Sequence, residues 1–211
     1  MTIKTFIFNP FQENTYLVYD ETTEAVIIDA GCLFDVENQQ LKCFIEENNL
    51  TLKHVLNTHL HLDHQFGNKF LFDTYGIAPE AGIADEFLIK NFAQQAKMFG
   101  LPADARAQPL GAYITDGQEI AVGNFCLRAI HVPGHSPGSM AFYNAEDSVV
   151  FTGDALFQNS IGRTDLEQGD HATLIRSILQ NLLSLPDSTV VYCGHGQTTT
   201  IGNEKRFNPY L

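Results

Sequence analysis

Apolar and polar residues alternate along the first part of the chain, and this pattern predicts strands near 2–8, 14–19 and 24–29. A change to helical spacing of the apolar residues predicts a helix near 35–48. A short apolar run near 53–57 predicts another strand, which leads directly into a polar turn. The chain therefore combines strands with a helix from its beginning.

Two further helices are predicted in the middle of the chain. The first extends from about 65 to 75. The second covers the segment 85–99 and is ended by Gly100 and Pro102, because glycine and proline commonly stop a helix. Its apolar stripe can pack in the core or form a wall of a substrate cleft. We expect core packing, since such stripes normally face inward.

The second half of the chain shows a similar succession of strands and a helix, although no residue-level repeat is visible. Glycine-rich stretches follow several of its strands. The predicted elements are four strands, a helix and a last strand, at 118–121, 125–132, 139–144, 148–152, 171–184 and 189–193.

The composition is acidic, because 12 basic and 25 acidic side chains give a formal charge of −13. Such a charge repels the backbone of a nucleic acid, and no compensating basic patch is visible, so we expect no nucleic-acid partner. No apolar run is long enough to span a membrane, and we expect no membrane partner either. The oligomeric state stays open.

The N-terminal segment and the cysteines indicate a cytoplasmic protein. Residues 1–10 have the pattern of a strand ended by Pro10, without the basic segment and apolar stretch of an export signal. A reducing compartment is the simplest account of cysteines that form no Cys-x-x-Cys pair. These widely spaced cysteines are Cys32, Cys43, Cys126 and Cys193.

The polar turn after the strand near 53–57 predicts a metal site. Imidazole and carboxylate groups together suit zinc, iron or manganese, and a loop that is rich in histidine for no chemical reason is the weaker alternative. In an extended segment the side chains at 59 and 61 project to the same side, whereas those at 63 and 64 turn away, so that one turn can supply two metals. The candidate ligands of this turn are His59, His61, Asp63 and His64.

Three later stretches each offer one more candidate ligand at the end of a strand-like run. These residues are His135, Asp154 and His195, and each has a glycine directly before it. Glycine lets backbone segments approach closely, and strand ends hold side chains rigidly. The pattern therefore predicts a rigid cage of ligands.

In this order, the candidate ligands resemble those of the metallo-β-lactamase superfamily, and more closely its glyoxalase II (hydroxyacylglutathione hydrolase) branch. The resemblance extends from 14–16 and 28–31 to Asn203 and Glu204. It implies an α/β fold, an αββα sandwich of two mixed sheets between helices, with the site at one rim. It also implies that residues 1–211 form a single metallo-β-lactamase-like domain.

The resemblance implies two divalent metal ions, zinc by first choice, with iron or manganese as alternatives. An Asp at 154 favours the glyoxalase branch, because well-known dizinc lactamases place a Cys there, and flavodiiron relatives carry a Glu in place of His61. The family's Asp at the position of Asp29 orients the ligand turn, although a plain turn residue is the alternative. The implied ligands are His59, His61 and His135 for the first metal, Asp63, His64 and His195 for the second, and Asp154 as the bridge.

The chemistry implied by this cage is hydrolysis. A hydroxide shared by two divalent metals is nucleophilic near neutral pH, because metal binding lowers the pKa of water from about 16 to about 7. No separate general acid is obvious, which favours a thioester, since a thiolate whose acid has a pKa of about 8.5 leaves without a proton. Water or Asp63 can also supply a proton. We therefore expect a thioesterase of the glyoxalase II type, with Asp63 in a catalytic role and a small-molecule thioester such as S-lactoylglutathione as the substrate.

Other activities stay open on the same residues. Persulfide dioxygenases share the fold, the ligand turn and a Gly-Arg-Thr-Asp stretch like that at 162–165, but they use a single iron. A lactone hydrolase would use the same hydroxide. A protein that binds metal without catalysis is the third alternative, and it is disfavoured because structural zinc sites are normally closed and four-coordinate.

The chain resembles the short bacterial type of glyoxalase II, which lacks the C-terminal helical domain that grips glutathione through basic residues. The thiol of the substrate is therefore open. Arg163 is the first candidate for binding a substrate carboxylate, because a guanidinium fork can hold it in two places, although an internal pair with Asp165 is the alternative. Lys205 and Arg206 are the next candidates.

Overall fold

The structure, a computed structural model, describes residues 1–101 and 106–211. The strands of the first half are β1 (Thr2–Phe8), β2 (Glu13–Tyr19), β3 (Glu24–Ile28), β4 (Thr51–Leu56), β5 (Pro79–Gly82) and β6 (Ala112–Ile114). The strands of the second half are β7 (Glu119–Val122), β8 (Phe125–His131), β9 (Met140–Asn144), β10 (Val149–Gly153), β11 (Leu156–Phe157), β12 (Ser160–Ile161), β13 (Val190–Cys193) and β14 (Thr199–Thr200). The helices are α1 (Asp35–Glu47), α2 (Leu62–Gln65), α3 (Asn68–Tyr75), α4 (Glu86–Met98), α5 (His171–Ser177) and α6 (Ile201–Phe207).

The strands form two six-stranded sheets and a small hairpin of β11 and β12. The first sheet has the order β1-β2-β3-β4-β5-β6, antiparallel up to β3 and parallel from β3 onward. The second has the order β14-β13-β10-β9-β8-β7, in which only β10 and β13 are parallel. The expected fold of two mixed sheets is confirmed.

Alternation along the strands produces a layered core. In β2, Tyr16 and Val18 lie in the core between the sheets, whereas Leu17 faces the other way and joins a cluster with Leu41 of α1. On the outer side of the second sheet, strand residues form another cluster with Leu174 of α5. Helices therefore cover the outer faces of both sheets, in an αββα sandwich. Within the described residues, no helix has the length and hydrophobicity needed to cross a membrane.

Most predicted elements are present, but the helix expected from about 65 to 75 is divided into α2 and α3. The division is at Gly67, whose N–H donates a hydrogen bond of 2.7 Å to the carbonyl of Ala30. A Cβ at this position would lie 2.3 Å from Cys32 Sγ, so the chain approaches its neighbour too closely for any other residue. The helix expected at 171–184 continues beyond α5 as a π-helical segment, Ile178–Leu182.

Several short strands were not predicted, because two to four residues are too few to show a period. These strands are β5, β6, β11, β12 and β14. The helix α6, of seven residues, was not predicted either. Helix α4 confirms the prediction at 85–99 within a residue at each end. Gly100 follows it with a φ of +67°, and Pro102 lies outside the described residues.

The ends of the parallel strands bring the candidate ligands to one rim. The ligand turn follows β4, which is parallel to β3, and in the other sheet Asp154 follows β10, which is parallel to β13. The two sheets meet at Gly153, which has a φ of +51° and where a Cβ would lie 2.2 Å from Thr58 Oγ1. Only glycine fits this contact, which lets the end of β10 in the second sheet pack against the ligand turn of the first sheet.

Candidate metal centre

The first group of candidate ligands consists of His59 and His61, from the turn after β4, and His135, from the loop after β8. The Nε2 atom of His135 lies 3.2 Å from Nε2 of His59 and 2.8 Å from Nδ1 of His61. His59 and His135 are almost fully buried. Three ring nitrogens therefore point at one small volume.

The second group consists of Asp63, His64 and His195. The Nε2 atom of His195 lies 3.2 Å from Oδ2 of Asp63 and 3.3 Å from Nε2 of His64. The distance from His64 Nε2 to Asp63 Oδ2 is 3.8 Å. The group joins α2 to the end of β13, in the other sheet.

Asp154 lies between the two groups. Its Oδ1 atom is 3.4 Å from Nε2 of His64, and its Oδ2 atom is 3.6 Å from Nε2 of both His135 and His195. Oδ1 is buried and has no hydrogen-bond partner among the described residues. A buried carboxylate oxygen without a donor is unfavourable, and a cation is the partner that would satisfy it.

Backbone carbonyls orient two of the imidazoles. His135 donates from Nδ1 to the carbonyl of Arg163 at 2.8 Å, and His195 donates from Nδ1 to the carbonyl of Phe11 at 3.1 Å. A carbonyl only accepts, so the proton of each neutral ring is on Nδ1. The Nε2 lone pairs are then directed at the centre, as in histidines that bind a metal.

Asp29 performs the same task for His64 and also fixes the ligand turn. Its Oδ2 atom accepts from Nδ1 of His64 at 3.0 Å and from Thr58 Oγ1 at 2.6 Å. Its Oδ1 atom accepts from the backbone N–H of Thr58 at 2.7 Å. These are the contacts of a residue that orients the turn from behind the ligands.

Electrostatics prepare the centre for a cation. Burial and the neighbouring histidines hold the pKa of His59 far below its usual range and lower the pKa of His61 to about 3. Burial alone would raise the pKa values of Asp63 and Asp154, but the charges and hydrogen bonds of the neighbouring histidines together outweigh it and lower both. Neutral imidazoles and ionised carboxylates are the states that bind divalent metals.

The carboxylates of the centre in turn affect the pKa of His64. Burial alone would lower its pKa, but the charges of Asp154, Asp63 and Asp29 raise it well above the usual range. Positive charge is therefore favoured at this point of the rim. The donor atoms and the unpartnered oxygen of Asp154 fit divalent metal ions, and a bound cation would take the place of the proton that the carboxylates favour on His64.

Family comparison agrees with this geometry. Residues 8–195 match the sequence profile of the Metallo-beta-lactamase superfamily. The chain belongs to this superfamily. It is a metal-dependent hydrolase with a histidine-rich metal site.

Curated and solved relatives cover the full chain. Hydroxyacylglutathione hydrolase GloC from Haemophilus influenzae is 41% identical and is aligned over 100% of this chain and 98% of its own length. The crystal structure of BLEG-1 B3 metallo-beta-lactamase has a TM-score of 0.90 at 36% identity, covering 100% of this chain and 99% of that one. TTHA1623 in a di-iron-bound form has a TM-score of 0.85 at 35% identity, with 100% of both chains covered. ETHE1 from Myxococcus xanthus has a TM-score of 0.79 at 29% identity, covering 99% of this chain and 84% of its own.

A cleft of about 550 Å³ opens over the two groups. It is lined by α4, by the loop after β12, whose Glu167 accepts a hydrogen bond from Asn91 of α4, and by the turn between β1 and β2. Phe92 and Ala96 of α4 are buried in the core, as predicted for its apolar stripe. Asn91, Gln95 and Met98, on the other side of the helix, line the cleft. Helix α4 therefore serves both the core and the cleft.

The candidate substrate-binding residues are not all at the cleft. Arg163 lines it, but its guanidinium forms two hydrogen bonds of 2.7 Å with the carboxylate of Asp165. Lys205 and Arg206 are on α6, where their side-chain nitrogens lie 2.5 Å and 3.8 Å from the carboxylate of Asp187. Neither residue lines the cleft, and a role for them in binding substrate has no support in this geometry.

Sequence reasoning missed Asp85, which lies at the start of α4. Its carboxylate accepts hydrogen bonds from Gly138 N at 2.6 Å, Ser136 Oγ at 2.7 Å and Leu60 N at 3.2 Å. These donors belong to the two loops that carry the first group of ligands. The carboxylate, which is fully buried, therefore joins both loops. No signal identifies it in the sequence, because its partners are 25 to 53 residues away.

We expect Asp85→Ala to lower the free energy of unfolding by about 2 kcal/mol and to weaken metal binding by a factor of about 10 to 100, because it leaves buried donors unpaired and loosens the ligand loops. Chemical denaturation and competition with a chelator measure the two effects. Asp187→Ala removes an exposed carboxylate that is paired with Lys205 and serves as the control, with an expected change below about 1 kcal/mol. Unchanged metal affinity in Asp85→Ala would contradict this role.

Proposed function

We propose that the chain is a thioester hydrolase of the hydroxyacylglutathione hydrolase (glyoxalase II) type that uses two divalent metal ions. The observation that carries the proposal is Asp154, whose oxygens approach both groups of candidate ligands within 3.6 Å. The name and the full-length coverage of the GloC relative support the reaction. Zinc is the proposed metal, and the di-iron form of TTHA1623 makes iron the alternative to test.

Two bound divalent ions would supply Lewis acidity that activates water for attack on a carbonyl carbon. His59, His61 and His135 would hold one ion, Asp63, His64 and His195 the other, with Asp154 between them. Asp63 lines the cleft with an ionised carboxylate, and in this proposal it orients the attacking water and takes its proton. The Nδ1 hydrogen bonds of His135 and His195 keep both rings in position during this step.

The cleft favours a leaving group that needs no proton. Its described carboxyl and imidazole groups belong to the two groups of ligands and to Asp154, except for Glu167. Glu167 is exposed and accepts a hydrogen bond from Asn91, so it offers no buried acid. A thiolate leaves unprotonated near neutral pH, whereas the amine released from an amide does not. This chemistry supports a thioester substrate.

The test is turnover by protein of known metal content. We expect metal-loaded protein to hydrolyse S-lactoylglutathione, and to act on a lactone or a β-lactam with at least a hundredfold lower kcat/KM. Elemental analysis gives the metal stoichiometry of the same sample. A higher kcat/KM for the lactone or the β-lactam than for the thioester would overturn the proposal.

A persulfide dioxygenase is the second candidate, and the observation that favours it is the likeness to ETHE1 over 99% of this chain. The stretch 162–165 lies at the cleft, where the Arg163 carbonyl accepts a hydrogen bond from His135. Oxygen uptake with glutathione persulfide distinguishes the two candidates. Uptake by protein with one iron per chain, without thioester hydrolysis, would establish the dioxygenase.

We propose a cytoplasmic location for the chain and a small-molecule thioester as its partner. The four cysteines are free, which agrees with a reducing compartment. The formal charge of −13 supports the absence of a nucleic-acid partner.

A further inference from the structure

We infer that the cleft selects thioesters whose thiol half is uncharged, in preference to esters of glutathione. The inference rests on the proposed thioesterase function and concerns its substrate class. With the substrate carbonyl at the two groups of candidate ligands, we assign the thiol half to the wall formed by α4 and the loop after β12. The chemistry of that wall therefore decides which thiol is accepted.

The polar part of the wall is made of neutral amides. Asn91, Gln94 and Gln95 line the cleft from one side of α4, and each offers both a donor and an acceptor without a charge. Such groups match the amide bonds of a thiol such as pantetheine. They give no charge-assisted hydrogen bond to a carboxylate.

The cationic groups around the cleft are already paired. Among the lining residues that the structure describes, Arg163 is the only one with a permanent positive charge, and both of its bonded nitrogens are directed at Asp165. Asp165 and Glu167 add negative charge at the same loop. The sequence at 102–105 contains no basic residue. A glutathione ester, which has two carboxylates and one ammonium, therefore meets no unpaired guanidinium or ammonium group in the described wall.

The apolar part of the wall lies at the mouth of the cleft. Met98 and Phe99 are 76% and 59% exposed at the end of α4, although large apolar side chains are normally covered. Phe99 meets Phe11 of the β1–β2 turn edge to face, with 5.6 Å between ring centroids, so the two sides of the mouth touch. Covering this apolar surface with an uncharged chain is favourable, because apolar area is removed from water. Placing a charged group against it is unfavourable, because the charge loses its hydration.

The net charge of the protein also disfavours binding of a glutathione ester. A net charge of −13 opposes the approach of an anionic ester, while an uncharged ester is indifferent to it. Salt screens this electrostatic repulsion between the protein and an anionic ester. The KM for a glutathione ester should thus fall as ionic strength rises, and the KM for an uncharged ester should not change.

The experiment compares S-lactoylpantetheine with S-lactoylglutathione on metal-loaded protein, because the acyl group is the same and only the thiol differs. We expect a KM for the pantetheine ester at least threefold lower. A ratio below three, or a preference for the glutathione ester, would overturn the inference while leaving the thioesterase proposal in place. Failure to hydrolyse either ester would overturn both.

A second experiment introduces a positive charge into the wall of the cleft by substitution. Gln95→Arg should lower the KM for the glutathione ester at least threefold, and it should not lower the KM for the pantetheine ester, because that ester loses a neutral amide and gains no charge pair. Gln40→Arg makes the same change of net charge on an exposed position of α1, outside the cleft, and is the matched control. Equal effects of the two variants on the glutathione ester would contradict the inference.

Arg163→Ala tests the rival explanation, in which this guanidinium leaves Asp165 and binds a carboxylate of the substrate. The inference expects the KM values of both esters to change by the same factor. A rise of threefold or more for the glutathione ester alone would show that Arg163 binds its carboxylate, and the inference would be wrong.

Discussion

Replacing Asp63 with asparagine should reduce kcat/KM for thioester hydrolysis by a factor of about 100 to 10,000, or roughly 3 to 5 kcal/mol of barrier. The change keeps the shape of the side chain but removes its charge and one acceptor oxygen. Oδ2 of Asp63 lies 3.2 Å from Nε2 of His195, within the second group of ligands, and faces the cleft. In the proposed mechanism the variant therefore loses both a candidate metal ligand and the group that takes the proton of the attacking water.

Three measurements separate these effects: kcat/KM, metal content and the thermal unfolding temperature. Compared at equal metal content, the unfolding temperature should change little, because asparagine fills the same space. Asp73→Asn, on the exposed side of α3 and paired with Lys69, is the matched control and should not alter turnover. Unchanged turnover of Asp63→Asn at full metal content would remove Asp63 from the mechanism.

The candidate ligands could be selected from the sequence because each lies in a local pattern, and the structure brings them together at one rim. His59, His61, Asp63 and His64 are close in sequence, and the strand before them limits where their side chains can point. The single ligands of the second half follow strands that the apolar pattern reveals. The strand ends converge because some strands pair in parallel, as β10 and β13 do. The apolar pattern does not show which strands pair, so this convergence could be expected only from the family resemblance.

What could not be predicted depends on contacts between distant segments. Asp85 has no distinguishing neighbours in sequence, and its role follows only from the approach of Gly138, whose added Cβ would lie 2.7 Å from the Asp85 side chain. The carbonyl of Arg163 holds His135 through a backbone atom, which any residue supplies. The sequence left two hypotheses for Arg163, a pair with Asp165 and a contact with substrate. The sequence shows that Arg163 and Asp165 are near each other along the chain, but only the structure shows where the side chain points.

Removing the metals should abolish hydrolysis and lower the thermal unfolding temperature by about 5 to 10 °C for each ion. A ligand at 100 times its Kd adds about 2.7 kcal/mol of stability, and each kcal/mol corresponds to about 2 to 4 °C in a domain of this size. The ring nitrogens of the first group lie 2.8 Å and 3.2 Å apart, so a cation between them would hold three rings from two loops together.

Titration of the stripped protein should restore activity at two equivalents of zinc, and single variants should assign the two sites. We expect His61→Ala and His195→Ala each to retain one metal, because each removes a ligand from one group only. His171→Ala, at an exposed position at the start of α5, is the control and should retain two. If the unaltered protein reaches full activity with one equivalent, the second group is not required for turnover, and the proposal of two metal ions bridged by Asp154 is wrong.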